Sequence, residues 1–112
     1  MTTIPVLPVA DFAAAAKYYD EKLGFGLVFE AGPTYGGVAR GADVLHLDGV
    51  ANAAAGKVTC RIEMTDVEAL YAELEPRGVI DPAEPLRTMP WGAKQFSVLD
   101  VDGNRITFTT PT

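Results

Sequence analysis

The fold is decided by the C-terminal stretch Thr88-Met-Pro-Trp-Gly-Ala-Lys-Gln-Phe-Ser-Val-Leu-Asp-Val-Asp-Gly-Asn-Arg-Ile-Thr-Phe-Thr-Thr110. Two runs typical of β-strands, Lys94 to Leu99 and Arg105 to Thr110, flank a short polar segment. In that segment the pair Asp102-Gly103 is typical of a tight turn, because glycine adopts a positive φ without steric cost. The stretch therefore predicts a β-hairpin, preceded by a loop that carries the only tryptophan of the chain, Trp91.

Each half of the chain upstream of this hairpin predicts one helix. Asp11 is a favourable N-cap for a helix that ends at Gly24, and Asp66 is one for a helix that ends near Pro76 and Gly78. In both segments apolar residues recur at helical spacing and form one face, which predicts an amphipathic helix. The apolar face comprises Phe12, Ala16, Tyr19 and Leu23 in the first helix, and Val67, Leu70, Tyr71 and Leu74 in the second.

Strands are predicted around both helices in the same order. The first half has an edge strand broken by Pro5 and Pro8, a helix, and strands over 27–31, 38–40 and 44–48. The second half has a strand over 58–64, a helix, an irregular crossing over 79–86 and the hairpin. Such an internal repeat predicts an α+β fold, with two βαβββ modules that form a curved mixed sheet around a cavity. We expect a single domain over 1–112, with modules at about 1–50 and about 57–112.

Composition restricts the functional classes. The 112 residues have a formal net charge of −6 and one cysteine, Cys60. A net acidic chain is unsuited to nucleic acid and favours cationic small molecules. No apolar run reaches the length of a membrane span, and the N-terminus lacks the pattern of a secretion signal. We therefore expect a cytoplasmic protein without nucleic-acid or membrane partners, in which Cys60 is a small buried hydrophobe.

Alternation along the strands selects candidate site residues. Leu45 and Leu47 face one side of their strand, whereas four polar or charged residues are predicted to face the cavity: His46, Asp48, Arg61 and Glu63. An ion pair between Arg61 and Glu63 at an exposed sheet edge is the alternative for those two. Tyr35 and Trp91 are predicted on loops, where aromatic rings stack on ligands or simply cover the core. Strand alternation places Cys60 on the helix side of the sheet, away from His46, so no Cys–His pair is expected. Asp100 and Asp102 are expected to cap the hairpin turn.

The two ends of the chain carry a family resemblance. Pro90-Trp-Gly92, an apolar strand, and Asp100-Val-Asp-Gly-Asn104 before a strand resemble the ending of the bleomycin-resistance proteins. Ile4-Pro-Val-Leu-Pro-Val-Ala-Asp11 and Lys22-Leu-Gly-Phe25 resemble their beginning. These proteins belong to the glyoxalase/bleomycin-resistance/dioxygenase superfamily, also called vicinal oxygen chelate proteins. The resemblance implies the same paired βαβββ fold over nearly the whole chain.

The resemblance also bears on metal chemistry. In metal-dependent members, His, Glu or Gln side chains hold a divalent ion at positions that correspond here to Ile4, His46 or its neighbour, Thr59 and Thr107. Only one of these is a good ligand, and about three are needed for a catalytic metal. We therefore expect no metal site, no cofactor and no catalytic residue. A lyase or dioxygenase with an atypical site, with residual metal binding at His46, is the alternative, and a protein-interaction module is the third class.

What the resemblance implies instead is binding. Bleomycin-resistance proteins are non-catalytic homodimers that sequester the cationic glycopeptide antibiotic in grooves at the dimer interface. By position, Tyr35 would stack on the flat tail of the drug, Trp91 would lie near the groove and Asp48 would contact the drug. The first strand would cross to the partner subunit at Pro5. The family's tryptophans on the strand over 58–64 are absent here, where Arg61 and Glu63 lie nearby.

Overall fold

The computed structural model describes residues 1–111. The first half contains four strands and one helix, which continues as a π-helical turn over Tyr19–Leu23. Its elements are β1 (Val6–Pro8), α1 (Phe12–Tyr18), β2 (Gly26–Glu30), β3 (Tyr35–Arg40) and β4 (Asp43–Asp48). The second half repeats this order after a short 3₁₀ turn at Asn52–Ala54. Its elements are β5 (Thr59–Glu63), α2 (Val67–Leu74), β6 (Arg87–Thr88), β7 (Lys94–Leu99) and β8 (Arg105–Thr110).

The strands form two four-stranded sheets with the same topology. The first sheet has the order β1-β4-β3-β2 and the second β5-β8-β7-β6. In each sheet the first pair is parallel and the other two pairs are antiparallel, so both sheets are mixed. The predicted α+β class is thereby confirmed. Both strands of the predicted C-terminal hairpin have the predicted bounds.

Side-chain caps explain where the helices begin and end. The Asp11 carboxylate accepts a hydrogen bond from the Ala14 amide at 3.2 Å, and the Asp66 carboxylate accepts one from the Ala69 amide at 3.1 Å. Gly24 has a φ of 74°, a left-handed conformation that terminates a helix with little cost only in glycine. The predicted N-caps and the predicted ending at Gly24 are therefore confirmed.

The core lies between the helices and one face of each sheet. Helix α1 packs against β3 and β4, and α2 packs against β7 and β8. On β4, Leu45 and Leu47 are buried, whereas His46 and Asp48 on the opposite face are only half-buried. On β5, Ile62 is buried while Arg61 and Glu63 are exposed. The predicted alternation on both strands is therefore confirmed.

A buried carboxylate joins the two halves. Asp100, at the end of β7, accepts hydrogen bonds from the Asp102 and Asn104 amides, both at 2.9 Å. Its other oxygen accepts from the Tyr19 hydroxyl at 2.8 Å and from the Asn104 amide group at 2.9 Å. The Asn104 side chain also donates to the Pro8 carbonyl at 2.8 Å. These four donors compensate for the loss of water around the carboxylate. The bonds from Tyr19 to Asp100 and from Asn104 to Pro8 link the hairpin to the first half of the chain.

One detail of the hairpin turn differs from the sequence expectations. Asp100 caps the hairpin turn as predicted, but the Asp102 carboxylate accepts instead from the distant Ala10 amide, at 3.3 Å. The first strand, Val6–Pro8, pairs with β4 of the same chain, and the residues before it form no strand. Within residues 1–111, no helix is long and apolar enough to cross a membrane.

Candidate functional site

Tyr35 begins strand β3. The sequence had suggested instead that it lies in a loop. The reason is that Gly36 and Gly37, which resemble turn residues, are buried inside the strand. In the sheet Tyr35 lies opposite Asp48 of β4, and its side chain is half-buried. A strand fixes the ring more firmly than a loop would, so its direction is set by the pleat of the sheet.

His46 lies at the centre of a small aromatic cluster on the sheet face opposite the helices. Its Nδ1 atom is 2.8 Å from the Tyr35 hydroxyl oxygen, within hydrogen-bonding distance. The imidazole is edge-to-face with the ring of Tyr35, with centroids 5.5 Å apart, and with the ring of Phe29, with centroids 5.1 Å apart. We call Phe29, Tyr35 and His46 the aromatic platform.

Phe29 was not among the predicted site residues. Strand β2 has an irregularity between Leu27 and Phe29, which changes the alternation and places Phe29 opposite Gly37 of β3. Its ring covers Gly37 so closely that a Cβ atom there would lie 2.3 Å from the ring. The side chain remains 40% exposed, so the ring is available to a ligand. Gly37 was the sequence signal that could have indicated this contact, because a glycine within a strand often marks the close approach of another group.

Asp48 has a structural partner. One of its carboxylate oxygens accepts from the Val50 amide at 2.9 Å and from the Ala51 amide at 3.4 Å, so it caps the turn after β4. Because a carboxylate oxygen has more than one lone pair and the second oxygen is not used in this turn, Asp48 retains acceptor capacity beside Tyr35.

Arg61 and Glu63 lie on β5, away from the platform. Arg61 donates to the Gln95 side chain at 3.0 Å, and no ion pair joins Arg61 to Glu63 within the described part of the chain. Both residues line a cleft of about 330 Å³ between β5, the start of β4 and the N-terminal residues, including Pro5. His46 and Asp48 do not line that cleft. The structure therefore divides the four predicted cavity residues between two surfaces.

Trp91 lies in the predicted loop between β6 and β7. Two backbone hydrogen bonds close this loop, from the Met89 amide to the Ala93 carbonyl at 2.8 Å and from the Gly92 amide to the Met89 carbonyl at 2.9 Å. The indole is 64% exposed, and none of the ring contacts found among residues 1–111 involves it. A large apolar ring held on a closed loop is available to a ligand or a protein partner.

The positions that the family resemblance equates with metal ligands carry other chemistry. Thr107 is buried, and its hydroxyl shares a 2.8 Å hydrogen bond with Ser97, which donates to Glu84 at 2.6 Å. Thr59 is exposed at the start of β5, and Ile4 precedes β1. Among residues 1–111, no group of three or more His, Cys, Asp or Glu side chains is arranged to hold a metal ion.

Cys60 lies on the core-facing side of β5 and is half-buried. Burial, and to a smaller extent the negative charge of Asp100, raise the pKa of the Cys60 thiol to about 11. Both causes disfavour the thiolate, which is the reactive form of cysteine. The predicted role as a small hydrophobe agrees with this environment.

Comparison with known proteins identifies relatives over the whole chain. Residues 3–108 match the model of the Glyoxalase/Bleomycin resistance protein/Dioxygenase superfamily. A bleomycin resistance protein of Geobacillus stearothermophilus is 31% identical, with 96% of this chain and 95% of that protein covered.

Two solved structures extend the likeness. The bleomycin-binding protein of Streptomyces verticillus, complexed with copper(II)-bleomycin, is 29% identical with a TM-score of 0.85, over 100% of this chain and 97% of that one. The antibiotic-binding protein TnmS3 of Streptomyces sp. CB03234 is 31% identical with a TM-score of 0.80, over 100% of this chain and 96% of that one.

Proposed function

Because this chain belongs to the Glyoxalase/Bleomycin resistance protein/Dioxygenase superfamily, we propose that it is a non-catalytic protein. In this proposal it binds and sequesters a bleomycin-type antibiotic. The Geobacillus relative is a bleomycin resistance protein, and the Streptomyces verticillus relative has been crystallised with copper(II)-bleomycin. Both likenesses extend over nearly the entire chain, so they include every candidate site residue.

The aromatic platform is the observation that carries this proposal. Phe29, Tyr35 and His46 present three rings on the sheet face that no helix covers, and Phe29 is 40% exposed. Aromatic pairs contribute about 0.5–1.5 kcal/mol beyond the area that they bury. This surface is therefore best suited to bind a ligand that has a flat heteroaromatic segment.

Charge supports a cationic ligand. The formal net charge of −6 attracts cations at long range, and Asp48 lies directly opposite Tyr35 in the sheet. A charge-assisted hydrogen bond to a carboxylate contributes about 1.5–3 kcal/mol. One such bond and two stacked rings contribute at most about 6 kcal/mol, so micromolar affinity, about −8 kcal/mol, also requires burial of apolar surface of the ligand.

Metal-dependent catalysis is the second candidate and has weaker support. Ile4, Thr59 and Thr107 offer an alkyl group and two hydroxyls where imidazoles or carboxylates would be needed. The Thr107 hydroxyl is also engaged with Ser97. Elemental analysis of natively purified protein tests this candidate: one nickel, zinc, iron or manganese ion per subunit would favour a lyase or dioxygenase.

We further propose a homodimer. The two outer strands of the first sheet, β1 and β2, expose apolar residues that a monomer leaves in water, including Val6 at 46%, Leu27 at 46% and Val28 at 57%. Exchange of the N-terminal segment at Pro5 would bury part of this surface, since the residues before Pro5 are exposed and pair with no strand of their own chain. The partner subunit would then close the open side of the platform.

Calorimetry with bleomycin tests the main proposal. Wild type should bind with micromolar affinity, and Tyr35→Ala and Trp91→Ala should each weaken binding about fivefold or more, because each removes a stacking ring. Val101→Ala is the control, since Val101 is a similarly exposed apolar residue in the β7–β8 turn. Absence of binding below about 100 μM would reject the function. Unchanged affinity in both aromatic variants would reject the site.

A further inference from the structure

The cleft of about 330 Å³ between β5 and the start of β4 has charged groups on both walls. Arg61 and Glu63 line it from β5, and Asp43 lines it from the first residue of β4. We propose that this cleft, which we call the zwitterion cleft, binds a small molecule that carries one ammonium and one carboxylate group, as a free dipeptide does. The cleft is separate from the aromatic platform, so the inference goes beyond the proposed function and does not depend on it.

The guanidinium of Arg61 is held in position by a buried partner. Its Nη2 atom donates to the Oε1 atom of Gln95 at 3.0 Å, and Gln95 is only 5% exposed. Strand β8 lies between β5 and β7, so the Arg61 side chain extends across β8 to reach Gln95. An arginine has five N–H donors, so one hydrogen bond leaves most of them available to a ligand. A guanidinium fixed in this way suits a carboxylate, which it can bind through two parallel hydrogen bonds.

The negative charges of the cleft have no partner in the protein. Neither Glu63 nor Asp43 forms an ion pair in the described part of the chain, 1–111, and Arg61 forms none either. Glu63 could have paired with Arg61, two residues away on the same face of β5, but the guanidinium contacts Gln95 instead. The two carboxylates are therefore available to an ammonium group, which is a donor of three hydrogen bonds.

The spacing of the charges selects the length of the ligand. Arg61 and Glu63 are two residues apart in a strand, which separates their Cα atoms by about 6–7 Å. An extended dipeptide spans about 7 Å, so its two termini match this separation. In a single α-amino acid both charged groups share one carbon atom, and the distance between them is shorter than the cleft requires.

The mixture of signs disfavours ligands with a single charge. An anion bound to Arg61 would lie near Glu63, and a cation bound to Glu63 would lie near Arg61, so each would meet a like charge within a few ångströms. A zwitterion places an opposite charge beside each side chain and meets neither repulsion. The zwitterion cleft should therefore distinguish a dipeptide from molecules that carry only one of its two charges.

Titration with glycylglycine, followed by two-dimensional ¹H–¹⁵N NMR, tests the inference on the wild-type protein. We expect saturable binding with a dissociation constant of about 1 mM, and the largest shift changes in the backbone amides of 43–45 and 61–63. N-acetylglycine lacks the ammonium group and glycinamide lacks the carboxylate, and each should bind about tenfold more weakly. Absence of saturation up to about 20 mM, shift changes elsewhere, or equal affinity for the three probes would overturn the inference.

Variants separate local contacts from the overall charge of the protein. Arg61→Met and Glu63→Gln should each weaken the binding of glycylglycine about tenfold, because each removes one charged contact. Lys57→Met is the matched control for Arg61→Met, since Lys57 is exposed just before β5, does not line the cleft and also loses one positive charge. Its affinity should stay within about twofold of wild type. Equal losses in Arg61→Met and Lys57→Met, or unchanged affinity in Arg61→Met, would overturn the proposal.

Discussion

The phenolic hydroxyl of Tyr19 donates a 2.8 Å hydrogen bond to the carboxylate of Asp100, across the boundary between the first helical segment and the C-terminal hairpin. Tyr19 is fully buried and Asp100 nearly so. Burial, and then the negative charge of Asp100, raise the pKa of Tyr19, so the hydroxyl stays protonated and remains a donor throughout the neutral range. This bond is thus an interior link between the two halves of the chain.

Removing the Tyr19 hydroxyl should destabilise the whole domain. In Tyr19→Phe the Asp100 carboxylate loses one of four donors in a buried site, which costs about 1–3 kcal/mol of the free energy of unfolding. Urea denaturation followed by circular dichroism measures it. Tyr71→Phe is the matched control, because Tyr71 is half-buried against Phe96 and its hydroxyl makes no hydrogen bond within the described residues. Equal losses in the two variants would contradict the role of the bond.

Cys60 should react slowly in the native protein. Since its pKa is raised from 9.0 to about 11, its thiolate fraction at about pH 8 is about a hundredfold below that of an ordinary thiol of the same model value. Alkylation by iodoacetamide, followed by mass spectrometry, should therefore be about two orders of magnitude slower in native than in urea-denatured protein. Rates that agree within a few-fold would show that Cys60 is neither buried nor influenced by Asp100.

Glu73 should contribute to stability near neutral pH but not in acid. A hydrogen bond from Arg40 lowers the pKa of Glu73, with further help from the charges of Arg40 and Arg77. A lowered folded-state pKa stabilises above the unfolded pKa, and the effect is lost as pH falls through the folded one. Because both partners are over a third exposed, we expect Glu73→Gln to cost only about 0.5 kcal/mol at neutral pH.

The difference between wild type and Glu73→Gln should shrink as the pH falls below the ordinary glutamate pKa, and it should disappear once the carboxyl is protonated in the folded protein as well. Thermal denaturation over a pH series measures it. Glu75→Gln provides the comparison, because Glu75 is exposed and forms no ion pair in the described part of the chain. A cost that persists unchanged in acid would mean that the charge of Glu73 is not responsible.

Adding one methyl group at Gly37 should disturb the platform without disturbing the backbone. Gly37 has no positive φ, so alanine is compatible with its conformation, but the new Cβ would lie 2.3 Å from the Phe29 ring. The ring must move, and we expect Gly37→Ala to weaken bleomycin binding about threefold to tenfold in calorimetry. Gly26→Ala on β2 is the control, because its Cβ would meet only Asp20, at 3.8 Å. Wild-type affinity in Gly37→Ala would contradict a role for Phe29.

A charge on β1 should weaken the proposed dimer. Wild type should sediment as a dimer at micromolar concentration, and Val6→Asp should shift it towards monomer, because a carboxylate in an apolar interface loses its hydration. Val50→Asp is the control, since Val50 is 75% exposed in a turn. A wild-type protein that sediments as a monomer would refute the dimer and, with it, strand exchange at Pro5.

Local chemistry made much of the fold predictable. The caps at Asp11, Asp66 and Gly24, and the turn at Gly103, depend on residues within a few positions, and all four are found as expected. The alternation on β4 and β5 likewise follows from the period of a strand. The repeat of strand order between the halves was visible because each half carries the same sequence of such local signals.

The candidate site was less predictable because it depends on pairing between strands. Tyr35 was assigned to a loop, since Gly36 and Gly37 resemble turn residues when the neighbouring strands are not known. Phe29 was missed because an irregularity in β2 alters the side-chain alternation, which a simple period of two cannot reveal. The link from Asp100 to Tyr19 spans most of the chain and has no local signal.

The two halves share a strand order but differ in the chemistry of the face that no helix covers. The first carries the rings of Phe29, Tyr35 and His46, whereas the second carries hydroxyls such as those of Ser97 and Thr107. No platform residue belongs to the hydrophobic core, so this surface can accumulate substitutions at little expense to folding. In evolutionary terms, the site proposed here would be free to follow a changing ligand while the scaffold beneath it stays constant.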